Sequence, residues 1–364
     1  MSAVDDLAAV WLYVADTSCR GYSPLYDRIC RAVAGNDDVL ELVSTAPPVG
    51  HNPLLLLAAV HYLVLGGLDH PLASVYAGTS DEDPGPLFID VCLDHRDELL
   101  SLLATEQVNT NEVGRAAVLG PAFTEVAARF GAPLSHLDVG CSAGLNLLLD
   151  RYRLDYGAAG VTGPADAAVE VRCDVVGGSP PIAPTLPAIA GRIGLDRAPV
   201  DPHDPHQSRW QLACVWPDTG RLERTARALE EARRGRYPLV HGDAVERVGD
   251  LVADLPRDSL AVVTTTWVVG YFPGEQRAAF RDALAAASNA RPIVWISAEG
   301  AGVVELIPDV RPVSDERGVE WSVLGLATFR DGIASAELLG YAHPHGSGLD
   351  WRASAHHERA GGAA

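Results

Sequence analysis

The pattern of apolar and polar positions splits the chain at about residue 134. Before that point, apolar residues recur three and four apart over 7–14, 25–34, 37–43, 54–65 and 87–104, which predicts helices. Pro and Gly clusters separate them at Ala46-Pro47-Pro48, Gly66-Gly67 and 81–86. A last helix over about 112–130 runs to Gly131-Ala132-Pro133. Beyond it, short β-rich runs alternate with helical ones, the pattern of a parallel sheet with crossover helices. Strands are expected at 135–139, 191–195, 238–241, 259–265 and 292–297. Helices are expected at 144–152, 207–215, 219–234, 244–255 and 274–288. The stretch 153–181 holds a β-like run, 169–176, and reads as an insertion that forms a hairpin. Near the end, 320–329 and 333–343 flank Arg330-Asp331-Gly332, a strong hairpin signal.

These elements predict an all-helical N-terminal region, 1–109, acting as a lid or substrate region. A Rossmann-like α/β domain follows over 110–355, with an insertion at about 153–185 and a frayed tail over 356–364. Composition narrows the chemistry. A formal net charge of -20 repels phosphate backbones, so nucleic acid and anionic membranes are not expected partners. Every basic residue is Arg, which excludes a Schiff-base lysine, lysine-linked pyridoxal phosphate and a P-loop. The six Cys are scattered without C-x-x-C, as in a reducing compartment. The N-terminus lacks the features of a signal peptide, and the most apolar run, 53–66, is short of the ~20 residues a membrane span needs. A cytoplasmic protein is expected. His203 with His206, and His343 with His345, lack the ligand company of a metal site, so no metal is expected.

The chemistry concentrates in Leu137-Asp138-Val139-Gly140-Cys141-Ser142-Ala143-Gly144-Leu145-Asn146. A buried strand ends in a tight turn and a helix starts. Gly140, Ser142 and Gly144 are small, as close approach of a ligand to backbone requires. Asp138 ends the strand where open α/β sheets bind ligands. A dinucleotide site wants G-x-G-x-x-G, and an acidic residue there repels pyrophosphate. A carboxylate suits the ammonium or sulfonium of S-adenosylmethionine. The turn resembles motif I of class I methyltransferases, with Ser142 in place of the middle Gly. G-x-S-x-G is also the spacing of the hydrolase nucleophile elbow, although no convincing Asp and His partners follow.

The later strands add candidates. Asp196 ends the second strand, where such folds hold ribose hydroxyls. Asp243-Ala244 stands where class I methyltransferases bond the adenine amino group, and Asp243 equally reads as a helix cap. Thr266 ends the fourth strand as a further cofactor contact. Trp267 and Tyr271 follow as possible walls of a substrate pocket, with core packing as the other reading. Glu299 ends the fifth strand as a candidate base, and His343 ends the terminal hairpin. Thr110, Asn111 and Arg115 precede the first strand as substrate or cofactor binders; Thr110 or Asn111 equally reads as a cap.

Thr110-Asn111-Glu112-Val113-Gly114-Arg115, Ser142–Asn146 and Asp150-Arg151-Tyr152 resemble an uncharacterised bacterial family, domain of unknown function family 2332. Arg209-Trp210, 213–218, 241–244 and 295–300 carry the same likeness. The resemblance implies a methyltransferase fold, a seven-stranded sheet with a terminal antiparallel hairpin, and no established reaction. The expected function is S-adenosylmethionine-dependent methyl transfer to a small molecule. Aminocarboxypropyl transfer, or non-catalytic binding of the same cofactor, are the alternatives.

Overall fold

The computed structural model describes residues 3–131, 133–308 and 310–353. The expected frayed tail lies outside them. The chain forms two compact units, Met1–Thr110 with Asp201–Ala226, and Asn111–Val200 with Arg227–Ala364. The helical unit therefore takes in a segment that the sequence pattern assigns to the α/β domain.

In the helical unit, α1 (Ala3–Val14), α2 (Pro24–Ala34), α3 (Asp37–Ser44), α4 (Pro53–Leu65), α5 (Pro71–Tyr76), α6 (Pro84–Asp94) and α7 (Arg96–Thr105) follow in order. Several start on a polar residue followed by Pro. Ser23, Asn52 and Asp83 each accept a backbone N–H of the first turn, and Pro24, Pro53 and Pro84 lack the amide that would be orphaned there. The helix expected over 87–104 is two, broken at His95. The unit closes with α9 (Pro205–Ala213), which joins it through His61 Nδ1 to Ala213 O at 3.1 Å and Trp210 Nε1 to Gln107 O at 2.8 Å.

The second unit holds α8 (Arg115–Phe130), α11 (Ala244–Asp254) and α12 (Gly274–Ala287) around a sheet; α10 (Leu222–Arg234) spans the boundary between the units in sequence. Its strands are β1 (Leu134–Val139), β5 (Asp174–Gly177), β6 (Ile189–Asp196), β7 (Leu239–His241), β8 (Leu260–Thr266), β9 (Ile293–Glu299), β10 (Ser322–Arg330), β11 (Ile333–Ala342) and β12 (Gly348–Trp351). The sheet is nine-stranded, in the order β5-β12-β11-β10-β9-β8-β1-β6-β7. From β7 to β9 the pairing is parallel. β1 lies in the middle of that parallel stretch and is buried along its whole length. Alternate residues of β1 face opposite ways. Leu137 and Val139 join the apolar core that includes α11 and α12 residues. His136 faces the other way, against Phe123 of α8.

Three sequence expectations need correction. The sheet has nine strands rather than seven, because β12 and β5 extend it beyond the hairpin. The run 169–176 is not one strand, and the antiparallel pair of the insertion lies earlier, at Arg153–Asp155 and Val161–Thr162. The run divides at buried Cys173, β4 (Glu170–Arg172) pairing with β2 (Arg153–Asp155) and β3 (Val161–Thr162) in a small separate sheet, while β5 pairs with β12. Finally, the segment after the glycine turn, Leu145–Arg151, is 3-10 rather than α-helical. Side chains take the carbonyls that an α-helix would use: Tyr152 donates to Leu145 O at 2.7 Å and Arg192 to Leu147 O at 2.9 Å. The terminal hairpin forms as expected, with Asp331 and Gly332 at φ +52 and +76, as a tight two-residue turn demands.

β6 passes so close to the glycine turn that a Cβ on Gly194 would lie 2.6 Å from Cys141 Sγ and 2.7 Å from Leu239 Cδ2. Gly194→Ala is expected to destabilise the α/β unit by about 1–3 kcal/mol. A lower urea midpoint by circular dichroism, partly recovered in Gly194→Ala/Cys141→Ala, checks this.

Candidate functional site

Most amides of the turn after β1 are held by protein groups. Gly140 N and Cys141 N both donate to Leu195 O, at 2.8 and 3.2 Å. Ser142 N donates to Asp196 Oδ2 at 2.8 Å, and Gly144 N to Cys141 O at 2.7 Å. Asn111 accepts the next amide, Leu145 N, at 2.9 Å. With these five amides already bonded, the turn offers a pyrophosphate a poor cradle. Gly140 and Gly144 have φ of +76 and +70, conformations that favour glycine. Their small size serves packing: a Cβ on Gly140 would collide with Val268 Cγ2, and one on Gly144 would lie 2.8 Å from Leu239 Cδ2. Ser142 takes φ +51 without being glycine.

Asp138 is 1% exposed. The Thr264 hydroxyl donates to its Oδ1 at 2.7 Å. Burial pushes its carboxyl up to about 7; the Asp196 charge adds to this, while the Thr264 hydrogen bond and the Arg115 guanidinium oppose it. Asn146 is also 1% exposed, and its Oδ1 has no partner among the described residues. Asp196 is half-buried and accepts Ala198 N at 2.8 Å as well as Ser142 N. Asp243 caps α11 by accepting Val245 N at 2.9 Å, and the Arg197 guanidinium beside it holds its carboxyl below the usual range. Ala244 is buried at the start of that helix.

The ends of β8 and β9 form a second knot. Arg115, at the start of α8, donates to Thr266 O at 2.8 Å and to Pro344 O at 3.1 Å. It thus ties β8 to the loop after β11. Burial lowers the Arg115 pKa, opposed by the charges of Glu112, Glu299 and Asp138. Glu299 is 1% exposed and accepts Val268 N at 3.1 Å, Val269 N at 3.2 Å and Gly270 N at 3.4 Å. It anchors the loop after β8, and burial raises its pKa. That loop begins with Trp267 at φ +57, whose indole N–H donates to Ser322 Oγ at 2.7 Å. Tyr271 ends up 82% exposed, so it walls no closed pocket.

His343 is buried, with Nδ1 accepting the His345 amide at 3.2 Å and Nε2 3.9 Å from Asp315. Burial pulls its pKa down to about 4, so the ring is neutral. His345 Nδ1 lies 3.3 Å from Glu112, whose other oxygen accepts Gly114 N. Thr110 is exposed and belongs to the helical unit. Sequence reasoning missed His136, Thr264, Val268 and Glu112. The first was legible as a histidine two positions before Asp138 on a buried strand. The residues that the α/β unit brings together are therefore Asp138, Gly140, Ser142, Gly144, Asn146 and Asp196 at one turn. Arg115, Thr266, Trp267 and Glu299 form the adjacent group.

Among the described residues, no group of three His, Cys, Asp or Glu is arranged to hold a metal, and no helix is long and apolar enough to cross a membrane. The fold and site define an α/β protein with a distinct helical unit and an acidic, buried strand-end site. The chain belongs to the family described as "uncharacterized protein conserved in bacteria" (DUF2332), whose model matches residues 9–351. No curated protein matches it.

Glu299→Ala leaves three backbone amides without their acceptor. It is expected to cost on the order of 2–4 kcal/mol locally, with hydrogen exchange at 268–270 rising roughly 30-fold or more. Glu299→Gln, which keeps an acceptor oxygen, is expected to lie between the two. Unchanged exchange in Glu299→Ala would remove the anchoring role.

Proposed function

We propose that this chain binds S-adenosylmethionine at the carboxyl end of β1 and transfers its methyl group to a small-molecule acceptor. The observation that carries the reading is Asp138, a buried carboxylate with one hydrogen-bond donor among the described residues, beside a turn most of whose amides are already used. Such a site discriminates against anions and has a place for a cation. The residues present fit the group. Asp138 offers a carboxylate for its ammonium, and Asn146 Oδ1 is a buried acceptor in want of a donor. Asp196 would hold ribose hydroxyls, and Asp243 with Ala244 the adenine edge. The parallel order β7-β6-β1-β8-β9 is the one this reading expects of a Rossmann-like methyltransferase core. When bound, S-adenosylmethionine supplies an electrophilic methyl group on a sulfonium.

The chain's own residues act by positioning. Thr266, Arg115 and Trp267 would shape the acceptor site, with Tyr271 and Asn111 as further contacts. Neither candidate base has an idle basic atom. Glu299 is held by three amides, and His343 Nδ1 accepts a backbone N–H. The acceptor is therefore an atom already nucleophilic at neutral pH, brought into line by the site. The same observation favours a second reading, binding without turnover. Methylthioadenosine in place of S-adenosylhomocysteine among the products would indicate aminocarboxypropyl transfer instead.

Titration calorimetry with S-adenosylmethionine and S-adenosylhomocysteine is expected to show binding to the folded chain; absence of binding by both overturns the reading. Asp138→Asn is expected to weaken S-adenosylhomocysteine binding by roughly 30-fold or more. The same variant should not lower thermal stability at pH about 8. Asp138 has a folded pKa raised above its unfolded value, so its contribution to stability is present at low pH and lost as pH rises through about 7. Removing the charge then raises Tm. Lost affinity with a sharply lowered Tm would indicate a structural role alone.

A further inference from the structure

One face of β1 carries side chains that a sheet interior ordinarily lacks. His136 and Asp138, two apart, share the side toward α8. There the Phe123 ring meets His136 edge-on, with centroids 4.9 Å apart. Thr264 stands opposite Asp138 in the register of β8. Its hydroxyl hydrogen goes to Asp138 Oδ1 at 2.7 Å. The 2.7 Å contact between Thr264 Oγ1 and His136 Nε2 must then be donated by the imidazole. The proton sits on Nε2, and Nδ1 is a bare acceptor, buried without a partner among the described residues. His136, Thr264 and Asp138 are 0%, 0% and 1% exposed. The result is a directed chain from His136 through Thr264, ending on one oxygen of the carboxylate. No second donor reaches Asp138 among the described residues.

We propose that His136 and Thr264 are positioning residues that fix one oxygen of Asp138 inside the protein and so present the other to the ammonium of an amino-acid-bearing ligand. The inference rests on the reading of Asp138 as the cofactor's ammonium acceptor. It adds a coupling between ligand affinity and protonation. An ammonium binds the ionised carboxylate, and the Thr264 hydroxyl favours that form. The other groups facing Asp138 are Asp196 from the end of β6, which raises its pKa, and Arg115 from α8, which lowers it. The Cys141 thiol in the turn and His136 on β1 complete its surroundings. Burial drives the Cys141 pKa well up and the His136 pKa down to about 3, so both stay neutral. Affinity is therefore expected to rise as pH rises through about 7 and then level off.

The test is calorimetric titration of S-adenosylhomocysteine across about pH 5 to 9 for the full chain and three variants. In Thr264→Val the donor is gone, and the midpoint of the acid limb is expected to move up by about one unit, with affinity near pH 7 falling roughly tenfold. Thr264→Ser restores both. His136→Phe, which keeps the ring against Phe123, moves the midpoint the same way by less. Weaker binding with an unmoved midpoint overturns the proposal, because a merely structural role changes affinity without changing titration. A second readout needs no ligand. The carboxyl infrared titration, taken as the difference from Asp138→Asn, reports the Asp138 midpoint directly, and it should rise in Thr264→Val and His136→Phe. If it rises while no variant or wild type binds S-adenosylhomocysteine at any pH, the relay stands and the cofactor assignment falls. If it does not rise, the relay falls whatever binds.

Discussion

Strand β1 is laddered on both sides, to β6 and to β8, and the candidate site depends on that constraint. A central parallel strand has no freedom to slide, because a one-residue slip would put His136 and Asp138 into the apolar core that Leu137 and Val139 occupy. Its last residues are therefore fixed, and so is the turn that leaves it. Leu195 O, from the neighbouring strand, accepts two successive turn amides, and Asp196 accepts a third. Val200 N closes back on Ser142 O at 3.1 Å. The turn is a rigid extension of the β1–β6 pair, the kind of support that a site holding a ligand in one geometry requires.

Four charged groups are gathered around this end of the sheet, and they are not equally reconciled with burial. Glu299 has three amides. Glu112 has the Gly114 amide and His345. Arg115 donates to two carbonyls. Asp138 has Thr264 as its donor. A buried carboxylate commonly takes two or three donors when its function is structural, since each missing one costs on the order of 1–3 kcal/mol. The shortfall at Asp138 separates it from the others, because a structural acid would have been satisfied by the fold. Glu299 shows what that looks like at the end of β9, two strands over in the same sheet. A perturbed, under-bonded acid at a strand end is a functional candidate on physical grounds.

Much of this was legible before the structure. Helical spacing and the Pro and Gly clusters between the runs located the helical unit, because both signals are local. The Asp-Gly hairpin was legible for the same reason, since its turn requires positive φ at both central residues. The parallel core strands read as short β-branched runs. Segment 169–176 did not read correctly, because its division between two sheets at Cys173 is decided by which edges are available, a property of the whole fold. Nor did the 3-10 segment at Leu145–Arg151. There Arg192, a distant residue in sequence, outcompetes local propensity for a carbonyl, and it also grips Asp150 with both nitrogens at 2.9 Å. At the site, the glycine pattern and Asp138 were legible, whereas the hydrogen-bond chain behind Asp138 was not. Thr264 is one of three consecutive threonines, and the register of β8 decides which of them meets Asp138.

The glycines acquire a different meaning from the one their spacing implies. Gly140, Gly144 and Gly194 are each small because protein packs against them: Val268, Leu239 and Cys141 respectively. The spacing by itself therefore reports a tightly folded turn and does not distinguish one ligand from another. Discrimination comes from charge and from strain. Ser142 and Trp267 hold positive φ without being glycine, at +51 and +57. Such a conformation costs about 1–2 kcal/mol for a side-chain-bearing residue. Both are tied down, Ser142 by Asp196 and Trp267 by Ser322 and by its amide to Ala298 O. Strain that the surroundings maintain at two points, one in the turn after β1 and one where β8 ends, marks these two strand ends as the place where geometry is held against local preference. Asp138 and Thr264, the linked pair on those same two strands, lie next to both points.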